Sequence, residues 1–191
     1  MTRLNVSLKT DLVRDIEEEA EREGKTASSI VSEACRNYIE ISSYGLKSHD
    51  ISKLMLLFKT IKALDAIPVP SLLLDFLIKT SFRSAQQETL ERWRERGVVA
   101  GNIMIQYAPD IERLKEITES YSSIIPLDFI SIGISGENVD IVISGVGYSK
   151  ESAVCTCEGV VGFLSSYGVT ILERESSESF IRISGRVSKR A

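Results

Sequence analysis

The sequence is short of most residues that carry out chemistry. It has one histidine, His49, and three cysteines, Cys35, Cys155 and Cys157, in 191 residues. Three cysteines make no disulfide framework. His49 lies in a polar stretch without neighbouring ligands, which argues against a nickel- or zinc-sensing site. Cys155 and Cys157 fall two apart in a predicted helix, where such positions do not face each other, so neither a metal pair nor a redox pair is expected. Cys35 reads as a small core residue. There is no Gly-rich phosphate loop, no triad order and no metal-ligand spacing. Asp140 and Glu173 are acidic strand residues without a partnered nucleophile. No enzymatic activity, catalytic residue, metal or cofactor is therefore expected. Long hydrophobic runs are also lacking: Leu72 to Ile78 is far too short to cross a bilayer, and no signal peptide is evident. The expected location is the cytoplasm, with no membrane contact. Positive charge is not in excess either. The formal net charge is −4, against the basic balance usual for a nucleic-acid binder.

What remains is a globular composition, 43% hydrophobic and 26% charged, sufficient for one or two domains. The most regular stretch comes first. From Thr2 to Leu8, the apolar residues Leu4, Val6 and Leu8 alternate with Arg3, Asn5 and Ser7, the period of a half-buried strand. The residues that follow are helical, so this strand has no nearby partner and would leave a bare edge. A second copy of the chain, antiparallel about a two-fold axis, supplies one. Such a ribbon shows Arg3, Asn5 and Ser7 twice on its outer face, and the DNA major groove admits a two-stranded ribbon. Thr10 is the expected N-cap of the next helix, with Asp11 in its first turn and Leu12, Val13, Ile16 and Ala20 as its apolar stripe. Gly24 is the expected C-cap. Thr26 opens a second helix whose apolar side is Ala27, Ile30, Val31, Ala34, Cys35, Tyr38 and Ile39. About forty residues cannot enclose a core alone; an intertwined dimer can.

Arg3 to Tyr38 resembles a ribbon-helix-helix DNA-binding domain of the CopG/Arc/MetJ type. The likeness is carried by the Arg-Leu-Asn-Val-Ser-Leu strand, the Ala20 to Gly24 helix end and the Lys25-Thr26-Ala27-Ser28 helix start. It implies that Arg3, Asn5 and Ser7 read bases, and that Thr26, Ala27 and Ser28 hold a phosphate, flanked by the cations Lys9 and Lys25. The chemistry of the residues agrees: Arg suits guanine edges and Asn adenine edges, and free N–H groups at a helix start bind phosphate. Residues 1–42 hold six basic and nine acidic residues. Most of the acids, Glu17 to Glu23, belong to the first helix, and placement governs local attraction.

Ser42 to Asp50 is the expected linker, giving domains over 1–42 and 51–191 with residues 43–50 between them. Beyond it, helices are expected from Ile51 to Leu64, from Ser71 to Phe82, and from Gln86 to Arg96 with Gly97 ending the last. Val98 to Ala108 fits either a strand or a buried helix. Another helix runs from Asp110 to Ile124. Two hairpins, Phe129–Ile134 with Val139–Val146 and Val169–Arg174 with Phe180–Val187, flank a helix from Lys150 to Tyr167 capped by Gly168. Gly159 and Gly162 are expected to permit close helix–sheet packing, Trp93 to anchor packing, and Arg92, Arg94 and Arg96 to lie on a solvated helix face. Cys157 to Leu164, followed by Gly168-Val169 and Glu173, resembles vinyl-reductase-like and haem-NO-binding-like small-molecule domains, although the cysteines common in the following strand pair are absent.

The expected fold class is α+β: an N-terminal ribbon-helix-helix and a C-terminal α+β domain with a mainly antiparallel sheet. The expected function is a sequence-specific transcriptional regulator binding double-stranded DNA as a homodimer or higher homo-oligomer, with a sensing or oligomerising C-terminal domain and a possible small-molecule effector. Two alternatives stand beside it: an antitoxin-like DNA binder that neutralises a partner protein, and a ligand-binding module that the N-terminal unit merely dimerises.

Overall fold

A computed structural model describes residues 5–45, 47–121, 127–145 and 149–188. The described residues are α+β, with six of their seven helices before the first strand. The helices are α1 (Thr10–Glu23), α2 (Ala27–Ser43), α3 (Ser48–Ala63), α4 (Ser71–Ser84), α5 (Gln86–Met104), α6 (Ile111–Tyr121) and α7 (Lys150–Ser165). The strands are β1 (Phe129–Ser135), β2 (Asn138–Ser144), β3 (Val169–Ser177) and β4 (Phe180–Val187). Two compact units result, Met1–Ser52 and Lys53–Ala191.

In the first unit, α1 packs on α2. Gly24 takes the left-handed conformation at φ 65°, and the amides after α1 return to the carbonyls of Ala20 and Glu21, so the chain reverses over Lys25. The expected Thr10 cap is corrected: Thr10 is already helical, and the N-cap is Lys9 without a side-chain bond. Residues 5–9 lie outside any helix or strand, and all strands of the described residues come after Asp128. Residues 5–8, the described part of the alternating segment, therefore pair with no strand among the described residues. Cys35, expected in a core, is exposed. Ala34, Tyr38 and Ile39 are exposed with it, Ala27, Ile30 and Val31 are half-buried, and α2 has no buried residue. Residues 43–50 are not one linker, because α2 reaches Ser43 and α3 has already begun at Ser48. His49 lies in that first turn.

The second unit is built on a four-stranded antiparallel sheet in the order β1-β2-β4-β3. Two hairpins join along β2 and β4, with Ile141 opposite Ile183. Alternation decides which face is buried. Ile132, Val139, Ile141, Ile143, Ile181 and Ile183 form the core side. Across the sheet, Asp140 accepts from Arg182 Nε at 3.1 Å and Ser184 Oγ at 2.7 Å. Leu172 is the extra residue of a bulge in β3 and is exposed.

Helix α7 lies between this sheet and α5 and is buried on both sides. That is why Cys155 and Cys157, two apart, are both buried. Leu164, 1% exposed, stabilises the unit by about 1.5–3 kcal/mol through burial of its side chain. Gly97 does not end α5. The helix continues to Met104, which resolves the ambiguous stretch 98–108 largely in favour of a helix. Gly97 and Gly101 of α5 face Gly159 and Phe163 of α7, Gly162 of α7 faces Arg94 and Val98 of α5, and the two backbones meet there. The glycines of α7 therefore serve helix–helix contact rather than the helix–sheet contact read from the sequence. Glycine costs about 1 kcal/mol in a helix interior; at Gly97, Gly101 and Gly162 backbone proximity requires it.

Candidate functional site

Two groups of residues invite a functional reading, one in each unit. The first comprises the N-terminal positions. Arg3 lies outside the described residues. Asn5, Ser7 and Lys9 are exposed, with Lys9 in extended backbone at φ −67°, ψ 146°. Lys25, Thr26, Ala27 and Ser28 cluster at the start of α2. The Thr26 hydroxyl accepts from the Ser29 N–H at 3.2 Å, so Thr26 is the N-cap read from the sequence. The amides of Ala27 and Ser28 fall in the first turn, where no intrahelical carbonyl can reach them. Thr26→Ala is expected to cost about 1 kcal/mol, seen as a lower urea midpoint for loss of helicity.

Lys25 is not the free cation that a phosphate contact needs. Its ammonium lies 2.7 Å from Glu23 and 2.9 Å from Glu33. Hydrogen bonding to these two carboxylates raises the Lys25 pKa, and Lys25 in turn lowers that of Glu23. All three side chains are substantially exposed, so solvent screens the pairing and a phosphate can compete for the ammonium.

The second group lines a cavity of about 720 Å³ inside the second unit. Its floor is the core side of the sheet, including Ile132 and Ile141; α3, α5, α6 and α7 form its walls. The volume falls within the range of small-molecule sites, and the lining is mainly apolar with a few polar groups. Three features stand out. Trp93, the chain's single tryptophan, is part of the wall. Thr60 of α3 turns a buried hydroxyl to the cavity with no hydrogen-bond partner among the described residues. Arg96 lines the cavity and is exposed.

Neither a family model nor a curated protein matches this sequence. The functional reading consequently rests on the residues themselves.

Around the cavity, polar side chains mostly hold elements together. Glu158 of α7 is buried and accepts from Arg94 of α5, with Nη2 at 2.6 Å and Nε at 2.9 Å, and from Arg174 of β3. Arg94 is therefore no member of a merely solvated face. One carboxylate ties three elements, and a buried pair of this kind fixes an arrangement more than it adds stability. Burial pushes the Cys155 thiol up to about 11, with Glu158 and Glu151 adding to the effect, and burial also raises Cys157. Both thiols stay protonated near neutral pH and are poor nucleophiles or metal ligands.

The sequence reading missed the cavity and Thr60, and assigned Trp93 and Arg96 to packing and to a solvated face. The lining comes from five or more elements far apart in the chain, so no local spacing announces it. The only signal was compositional, a lone tryptophan and an arginine on a helix dotted with glycine.

Proposed function

We propose that the chain is a dimeric DNA-binding regulator whose second unit senses a small molecule. The observation that carries this reading is the bare first unit. Val6, Tyr38 and Ile39 are 62%, 58% and 69% exposed, and Ala20 is the only buried apolar residue among its described positions. Two capped helices preceded by an alternating segment cannot bury this surface alone. A second copy covers it if residues 2–8 pair as an antiparallel ribbon, the arrangement of a ribbon-helix-helix domain. Asn5 and Ser7, with Arg3, then lie on the outer face of the ribbon, and the start of α2 faces a phosphate. The cavity supports the sensing half of the reading.

The test combines oligomeric state with base readout. Sedimentation at micromolar concentration is expected to give a dimer, and Val6→Asp, which places a charge in the shared core, a monomer or an unfolded first unit. Selection from random duplex DNA is expected to yield an inverted repeat. Asn5→Ala should reduce the ratio of selected-site to random-DNA affinity by about 1–3 kcal/mol for each half-site with the fold intact. Thr26→Ala should weaken binding to all sequences alike. A monomeric wild-type chain, or an Asn5→Ala ratio equal to wild type, would overturn the reading. The net charge of −4 favours a second reading, a ligand-binding module that the first unit only dimerises. That module would show no salt-dependent DNA affinity.

A further inference from the structure

We infer that the cavity takes a lipophilic monocarboxylate, an apolar chain or ring system with one carboxylate end, which Arg96 and Thr60 receive. This rests on the sensing role proposed for the second unit and names its ligand class. The interior is walled by Leu57, Ile132, Ile141, Phe163 and Leu164, so it favours an apolar body by the ordinary burial of apolar surface. A hydrocarbon alone would leave the Thr60 hydroxyl unanswered and the Arg96 charge unused. The Thr60 hydroxyl is buried without a partner, a state that costs free energy unless something bonds to it. Arg96 makes no ion pair among the described residues, whereas Arg92 and Arg94 on the same helix are paired with Glu88, Glu95 and Glu158. A guanidinium is permanently charged and offers donors in a planar fork that matches a carboxylate. Arg96 can only donate and the Thr60 hydroxyl can donate as well, so a ligand end that accepts answers both. Asp65 also lines the cavity and is exposed. Its negative charge opposes an anion, which gives the proposal a second, oppositely signed handle.

Trp93 supplies the measurement. It is the sole tryptophan and sits in the wall, so a terminally brominated dodecanoate that enters the cavity quenches its fluorescence by contact. The full-length chain, without DNA, is titrated with this probe, with dodecanoate and with the uncharged dodecanol as competitors. Saturable quenching at one equivalent per chain is expected, with dodecanoate displacing the probe at lower concentration than dodecanol. Arg96→Gln should weaken dodecanoate roughly tenfold, the effect of losing one charge-assisted hydrogen-bonded contact, and leave dodecanol unchanged. Asp65→Asn should tighten dodecanoate and leave dodecanol unchanged. Absence of quenching would overturn the cavity as a ligand site. Equal affinities for acid and alcohol, unmoved by either substitution, would overturn the carboxylate. Dodecanoate binding with these signs, in a chain whose DNA affinity does not respond to it, would support the site while overturning the regulatory reading.

Discussion

Gly162→Ala is expected to destabilise the second unit by about 3 kcal/mol or more, whereas Gly159→Ala three residues earlier should be neutral or slightly stabilising. The contrast follows from what each new methyl group would meet. A Cβ on Gly162 would lie 2.1 Å from the Arg94 carbonyl oxygen and 3.0 Å from its carbon. Those are backbone atoms inside α5 and cannot turn aside. Relief requires the two helices to separate, and that opens the packing over the sheet. Overpacking typically costs about 1–3 kcal/mol, and more where backbone must move. A Cβ on Gly159 would meet Trp93 Cε3 at 3.5 Å, ordinary contact. There the intrinsic gain from replacing a helical glycine, about 0.5–1 kcal/mol, has nothing to oppose it. Gly97→Ala should behave like Gly162→Ala, since its Cβ would lie 1.9 Å from the Gly159 carbonyl oxygen. The check is the urea midpoint of each variant, followed by circular dichroism with the slope held fixed. Equal midpoints for Gly159→Ala and Gly162→Ala would show that the helices do not cross at these glycines.

The same crossing explains why part of the fold was legible in the sequence and part was not. The strands could be read because one face of the sheet is buried: Val139, Ile141 and Ile143 alternate with Asp140 and Val142, and that period is visible locally. The turn from α1 to α2 was legible for a similar reason, since Gly24 and Thr26 satisfy helix ends that belong to their own neighbourhood. Gly97 misled because its reason lies in another helix. Read alone, a glycine after Arg96 stops a helix; packed against Gly159, it permits one. Arg94 looked solvated because its partner, Glu158, is 64 residues away. Cys35 looked like core because apolar spacing marks a face that must be covered without saying what covers it. The candidate sites divide along the same line. The N-terminal positions form a local pattern, whereas the cavity exists only after α3, α5, α6, α7 and the sheet have come together.

Asp75 is a long-range contact of the same type, and Asp75→Asn is expected to lower stability by about 1–3 kcal/mol at pH 7, with the loss shrinking in acid. Asp75 sits on α4 and closes the N-terminus of α7. Its Oδ1 accepts from Ser149 Oγ at 2.5 Å, Ser152 Oγ at 2.6 Å and the Ser149 N–H at 3.3 Å, while Oδ2 lies 2.7 Å from the Lys79 ammonium. A carboxylate there also meets the positive end of the helix dipole. Burial of the group works against its charge, but Lys79 and the two serines outweigh that and hold the carboxyl well below the usual range. The direction fixes the pH dependence. An unfolded aspartate titrates near 3.9, and the folded value is lower. The ionised group thus contributes its full stabilisation above about pH 4 and loses it as pH falls toward the folded value. Asparagine keeps the shape, loses the charge and cannot titrate. The stability gap between wild type and Asp75→Asn should accordingly be widest at neutral pH and narrow as the pH is lowered below about 4. Comparing the two proteins at each pH cancels the titration of carboxylates they share, Asp140 and Glu23 among them. Urea unfolding at pH 7 and at the lowest pH where both remain folded decides the matter. A gap of constant size would assign the loss to altered hydrogen-bond geometry at Ser149 and Ser152, and would refute a role for the Asp75 charge in seating α7.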